Sequence, residues 1–285
     1  MSAPAAISTR TRPATQASRD ALKALILRDL VVLRKNFGEF VVRTLIQPFL
    51  LVFVFLYVFP TIGQSVGGRN PVAQSHFATV LIPGVVAITI MFQGIQAVAL
   101  PLATEFGFTR EIEDRVQAPC PIWLVALAKV LSGAVQGAIA ALVVFPIAAV
   151  VHAKGVEPNL HVHIWILVTL IPLACVAMTS LGLLLGTFFE PRNIGLMFGF
   201  VVLPLTFLGG TYYQWQRLSP IEVAGIHWLK ILVLVNPLIY LAEGMRAGLT
   251  EIGHMPLYVI YPVMTFFLVL FLSLGLRNFR RRVLS

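Results

Sequence analysis

Charge is what this chain has least of. Asp, Glu, Lys and Arg make up 12% of its 285 residues, and 58% are hydrophobic. An ordinary soluble domain carries about 25% charged residues, so a soluble globular fold is excluded. Cysteine is nearly missing. Cys120 and Cys175 are the only two, neither has metal-ligand spacing, and two cannot make a disulfide framework, so both read as inert. No Gly-x-x-x-x-Gly-Lys-Ser/Thr loop occurs, which excludes nucleotide binding of that kind. The apolar runs are continuous rather than alternating. A backbone in hydrocarbon can satisfy its hydrogen bonds only as a helix or a closed barrel, so the runs read as helices. Ionisable groups are scarce within them, whereas ion-coupled carriers bury acidic or His relays. No secretory leader pattern opens the chain, so the first run is expected to be retained.

What is present is a set of long apolar runs, and these fix the fold class: all-α, a polytopic membrane protein. A span needs ~20 apolar residues. Six fit, at about 44–62, 78–101, 121–151, 163–189, 194–212 and 256–276. They leave no room for a second large soluble domain, so 19–276 reads as one membrane domain. Residues 1–18, rich in Ala, Ser, Thr and Pro, read as a disordered tail. Residues 19–37 carry an apolar stripe (Leu22, Leu25, Ile26, Leu30, Leu33) with basic flanks, the pattern of an interfacial helix. Asp29 interrupts that stripe; either the helix rotates to keep it wet, the plainer reading, or it meets a cation from elsewhere in the fold. Residues 277–285 form a basic tail.

The net charge of +9 does not point to nucleic acid, because no basic soluble face with stacking aromatics goes with it. It flanks the spans instead. Of the 21 Lys and Arg, only Arg69, Lys154, Arg217, Lys230 and Arg246 fall on one side of the six-span reading. The positive-inside rule makes that side the outer one and puts both termini in the cytoplasm. Basic flanks also attract anionic lipid. Residues 231–249 tempt a seventh span but contain Asn236, Pro237, Glu243 and Arg246. One charge at mid-bilayer costs ~2.5–3.5 kcal/mol. This segment therefore reads as a short helix dipping in from outside, with Asn236 as N-cap and Pro237 at the first helical position, inside a re-entrant region spanning 213–250. Arg246 is expected to play a structural role, pairing with Glu243 at i,i+3 or with lipid headgroups.

The densest charge cluster is Glu105, Arg110, Glu111, Glu113, Asp114 and Arg115, between the second and third spans. Glu111 and Arg115 at i,i+4 support a surface helix. It reads either as a solvated loop helix or as a lever that a soluble partner grips. An enzyme acting on lipid-linked substrates would need clustered acids or His near one interface, and here arginines interrupt the only acidic cluster. Phe53, Phe55, Phe92, Phe200 and Phe207 are candidates to line a path for a greasy substrate, with lipid-facing packing as the plainer reading. Gln93, Gln96 and Gln136 either bond between helices or line a cavity. Gly133/Gly137, Gly182/Gly186 and Gly195/Gly199 allow close helix approach, within one subunit or between two. Tyr212, Tyr213, Trp215 and Trp228 read as an interfacial belt, and His152, His161 and His163 as surface residues.

Taken in order, several short stretches resemble the membrane subunit of type-2 ABC exporters, most of all the daunorubicin-resistance and nodulation-factor export branch. They are Arg28-Asp29-Leu30, Gln47-Pro48, Leu81-Ile82-Pro83-Gly84, Glu111 to Arg115, Ala118-Pro119, Lys129, Gly182-Leu-Leu-Leu-Gly186, Phe207-Leu208-Gly209-Gly210, Asn236-Pro237-Leu238-Ile239-Tyr240 and Arg246. Gly209 stands where the family often has Ser, and the 102–118 stretch is less basic than usual. The resemblance implies a bacterial cell-membrane permease, not itself an enzyme and holding no cofactor. It would be worked by a separate ATPase subunit that binds ATP and Mg. Two permease copies would form the transporter, with 102–118 as the coupling helix in an ATPase groove and 213–250 capping the exit. The expected cargo is lipophilic or amphipathic, a drug or lipid; a polysaccharide or glycolipid is the alternative.

Overall fold

The computed structural model describes residues 14–66, 68, 70–109, 121–153, 155–219 and 227–284. Among these, every regular element is helical. In chain order they are α1 (Ala14–Lys35), α2 (Phe37–Thr61), α3 (Pro71–Gly107), α4 (Ile122–Val150), α5 (Ile164–Phe188), α6 (Pro191–Phe207), α7 (Trp228–Val235), α8 (Pro237–Leu249) and α9 (Leu257–Leu284). Five of them (α2, α3, α4, α5 and α9) are long and apolar enough to cross a membrane, and α7 with α8 makes a sixth candidate bent by 92°.

The fold is built around α3. Asn70 starts it by accepting from the Val72 N–H at 3.0 Å, with Pro71 at the first position. Residues 78–91 are all buried, as a helix that is apolar all round must be. α5 packs along it most extensively, and α4 and α8 cover further faces. Close approach depends on missing side chains. A Cβ on Gly182 would lie 2.8 Å from the Gly94 carbonyl oxygen, and one on Gly186 would lie 2.8 Å from Ala99 Cα. Gly133 is nearly as tight, 3.0 Å from side-chain atoms of Val98 and Thr179. These glycines therefore serve packing inside one chain. Gly195 and Gly199, on α6, have nothing within 4 Å.

α6 is shorter than the sequence reading made it. It stops at Phe207 rather than 212 because Gly210, at φ +68°, takes a left-handed turn that ends helical geometry. Both α2 (Phe53–Val58) and α6 (Phe198–Val202) loosen mid-helix into i→i+5 turns. Such turns are frequent at functional positions.

Candidate functional site

Two features stand out, one at each end of the bundle. The first is a cleft between α1, α2, α3 and α4, holding a cavity of about 300 Å³. Its wall is polar in an otherwise apolar fold. Asp29 of α1 stays partly exposed, at 23%. Its carboxylate accepts from Arg28 at 3.1 Å and from the Ser132 hydroxyl of α4 at 3.1 Å, so a partner across the fold offsets the cost of its partial burial. Lys129 of α4 donates to Glu105 of α3 at 2.8 Å, with both side chains about nine-tenths buried. A smaller adjoining cavity shares Arg43 with the first and is lined by Thr44, Gln47, Thr89, Phe92, Gln93 and Gln96. The Thr44 hydroxyl donates to Gln93 at 3.2 Å, and the Gln93 amide reaches Gln136 at 3.5 Å. Hydroxyls and amides thus continue the charged rim into the apolar part of the bundle.

Of the residues picked from sequence as a path, Phe92 and Gln93 meet here. Phe53, Phe200 and Phe207 do not join them. Phe53 stacks between Phe49 and Tyr57 along α2, at 5.6 and 5.3 Å. Phe200 and Phe207 are 77% and 63% exposed on α6. Glu105 lines the cleft as a partner of Lys129. Arg110, Glu111, Glu113, Asp114 and Arg115 lie outside the described residues. Sequence reasoning missed Arg43, Thr44 and Gln47. Their signal was the spacing: Thr44 and Gln47 stand three apart, on one face of α2, opposite the glutamines of α3.

The second feature is a clamp at the opposite end. Asn236 accepts from the Leu238 N–H at 2.9 Å and donates to the Leu205 carbonyl at 2.7 Å. It closes the start of α8 and ties it to α6. Pro237 follows at the first position, and the Tyr240 hydroxyl donates to the Leu234 carbonyl at 3.0 Å. Glu243 and Arg246 are fully buried and 2.9 Å apart. Glu243 also accepts from the backbone N–H groups of Trp215 and Met255, at 2.8 and 2.9 Å. Arg246 donates to the Gly210 carbonyl. One ion pair therefore fastens three strands of chain: the turn after α6, α8 itself, and the lead-in to α9. The same turn is pressed against α3, where a Cβ on Gly84 would overlap the Thr211 backbone.

The arrangement is a bundle closed by a bonded cap at one end and opened by a polar cleft at the other. Among the described residues no group of three or more His, Cys, Asp and Glu is placed to hold a metal ion. Comparison with known proteins points to a transporter. The profile of the family described as "ABC-2 type transporter" matches residues 20–250. The chain is 27% identical over 256 residues to the inner membrane transport permease YadH of Escherichia coli (strain K12), and equally to the protein of that name from Shigella flexneri. The match covers 88% of this chain and 91% of each relative.

Proposed function

Because the chain belongs to the ABC-2 type transporter family, a family of membrane permeases, we propose that it is the membrane subunit of an ATP-driven exporter for a lipophilic or amphipathic compound. The observation carrying this reading is the polar cleft in a chain with no phosphate loop of its own. A cargo with a polar head and an apolar body would seat the head among Arg43, Thr44 and Gln93 and leave the body in lipid. The basic end is the cytoplasmic one in this reading, with both termini there. The inner membrane named for its relatives is its location.

Energy comes from a separate ATPase that binds ATP and Mg. Closure of the ATPases moves the 102–118 segments, and α2, α3 and α6 part toward the outside. Two copies of the chain form the path. Gly195 and Gly199 favour α6 as a seam, being the small-residue pair with open space beside it. Within the family, the daunorubicin-resistance and nodulation-factor branch is the assignment we favour. The hydroxyl and amide lining also suits a sugar-bearing lipid, which is the second reading. Transport of a glycolipid in preference to an amphipathic dye would select it.

The coupling role is tested by reversing charge at Glu111 and Arg115, singly and together. Each single reversal is expected to lower ATPase capture and transport at least tenfold, and the double reversal to recover part of both. Unchanged capture and transport in all three variants would remove the lever.

A further inference from the structure

The four arginines that close α9 do different things. Arg282 turns inward, donating to the carbonyls of Gly186, Thr187 and Phe189 at 3.3, 3.2 and 2.8 Å, and lies over the Phe106 ring at 4.7 Å. It caps the end of α5. Arg277, Arg280 and Arg281 are exposed. They share one side of a separate open cavity of about 800 Å³ between the start of α4 and the end of α9. Ile122, Trp123 and Leu276 form its apolar wall, and among the described residues no carboxylate lines it.

We propose that this cavity binds the headgroup of an anionic diacyl phospholipid. Positions 277, 280 and 281 follow i, i+3, i+4 spacing, so the three guanidinium groups stand on one helix face. Like charges at that spacing repel one another. None of the three makes an ion pair among the described residues, so a phosphate would relieve the repulsion. All three are arginines, whose planar forks grip phosphate oxygens two at a time. The level is right as well. The apolar run of α9 ends at Leu276 and that of α4 begins at Ile122, so charge and hydrocarbon meet at the cavity, where lipid phosphates lie. Trp123, 52% exposed, has the amphipathic ring that favours this boundary. A soluble acidic partner would match the charge but would have no use for the apolar wall. The inference does not depend on the proposed cargo.

Trp123 also supplies the readout. The other tryptophans, Trp165, Trp215 and Trp228, open α5 or lie between α6 and α8, away from this cavity. The full chain is placed in nanodiscs containing brominated phosphatidylglycerol or brominated phosphatidylcholine at equal mole fraction, with Trp123→Phe as the blank. Quenching of Trp123 is expected to need several-fold less phosphatidylglycerol than phosphatidylcholine. Arg277→Gln/Arg280→Gln/Arg281→Gln should abolish the preference, and Arg280→Gln alone should lower it about fivefold. Arg19→Gln/Lys23→Gln/Arg34→Gln, which removes equal charge elsewhere, should leave it intact. Equal quenching by the two lipids in the unmodified chain overturns the proposal, as does a preference that survives the triple substitution. Loss of ATPase capture with lipid preference unchanged would make this face a protein-docking surface instead.

Discussion

Arg246→Ala will cost the fold about 3–5 kcal/mol, the usual penalty for removing one partner of a buried ion pair. The size follows from what is left behind. Glu243 would remain fully buried as a carboxylate, held by the N–H groups of Trp215 and Met255 but facing no cation. The Gly210 carbonyl would lose its donor at the same time. Glu243→Gln is no gentle alternative. Both carboxylate oxygens accept from backbone N–H groups, so the amide nitrogen would stand against one of them, at about 1–3 kcal/mol for the donor left unmet. The two sites must therefore couple. Glu243→Ala/Arg246→Ala is expected to cost well under the sum of the two single changes, with an interaction of at least ~1 kcal/mol. Denaturation of the purified variants in detergent measures this. Folded yield of Arg246→Ala should fall far more than the cargo preference of what survives. Additive losses, or a shifted preference at normal yield, would mean that Arg246 does not act as a clamp.

Gly84→Val is the second large effect. Residue 84 is buried in α3, and any Cβ there overlaps the Thr211 backbone, with Thr211 Cα at 2.8 Å. Backbone cannot step aside as a flexible side chain can, so the turn from Gly209 to Thr211 must lift off α3. Overpacking of this kind costs about 1–3 kcal/mol, and here the upper end is expected. The loss is local. A cysteine at Thr211, buried in the native chain, should become reactive to a membrane-impermeant thiol reagent in the Gly84→Val background. Gly182→Val, which also overpacks α3 but at its contact with α5, should not expose it. Equal labelling in both backgrounds would sink the idea that Gly84 seats the cap.

Much of the fold was legible because membrane spans announce themselves: length and apolarity alone locate α2, α3, α4, α5 and α9. The cap at α8 was legible too, since Asn236-Pro237 is a local capping signal and Glu243 and Arg246 meet on their own helix at i,i+3. What could not be read are contacts that join distant parts of the chain. Asp29 lies 103 residues from Ser132, and Glu105 lies 24 from Lys129. No periodicity relates such pairs. Charge density, a local property, groups Glu105 with Arg110 to Arg115, but it gives no hint of Lys129, a partner across a helix interface. Trp215 and Met255 reach Glu243 through backbone N–H groups, which carry no side-chain signature at all. The aromatic candidates scattered for a similar reason. Phe200 and Phe207 obey the same apolar rule whether they face lipid, a second copy or a path.

The central claim is that this chain is a gate without fuel. The direct measurement is transport of an amphipathic dye in proteoliposomes holding the purified chain, with and without a partner ATPase subunit. Vectorial movement is expected only with both proteins and ATP, and dissipating a proton gradient should leave it unchanged. Movement driven by the chain alone, or by a proton gradient with no ATPase present, would contradict the account.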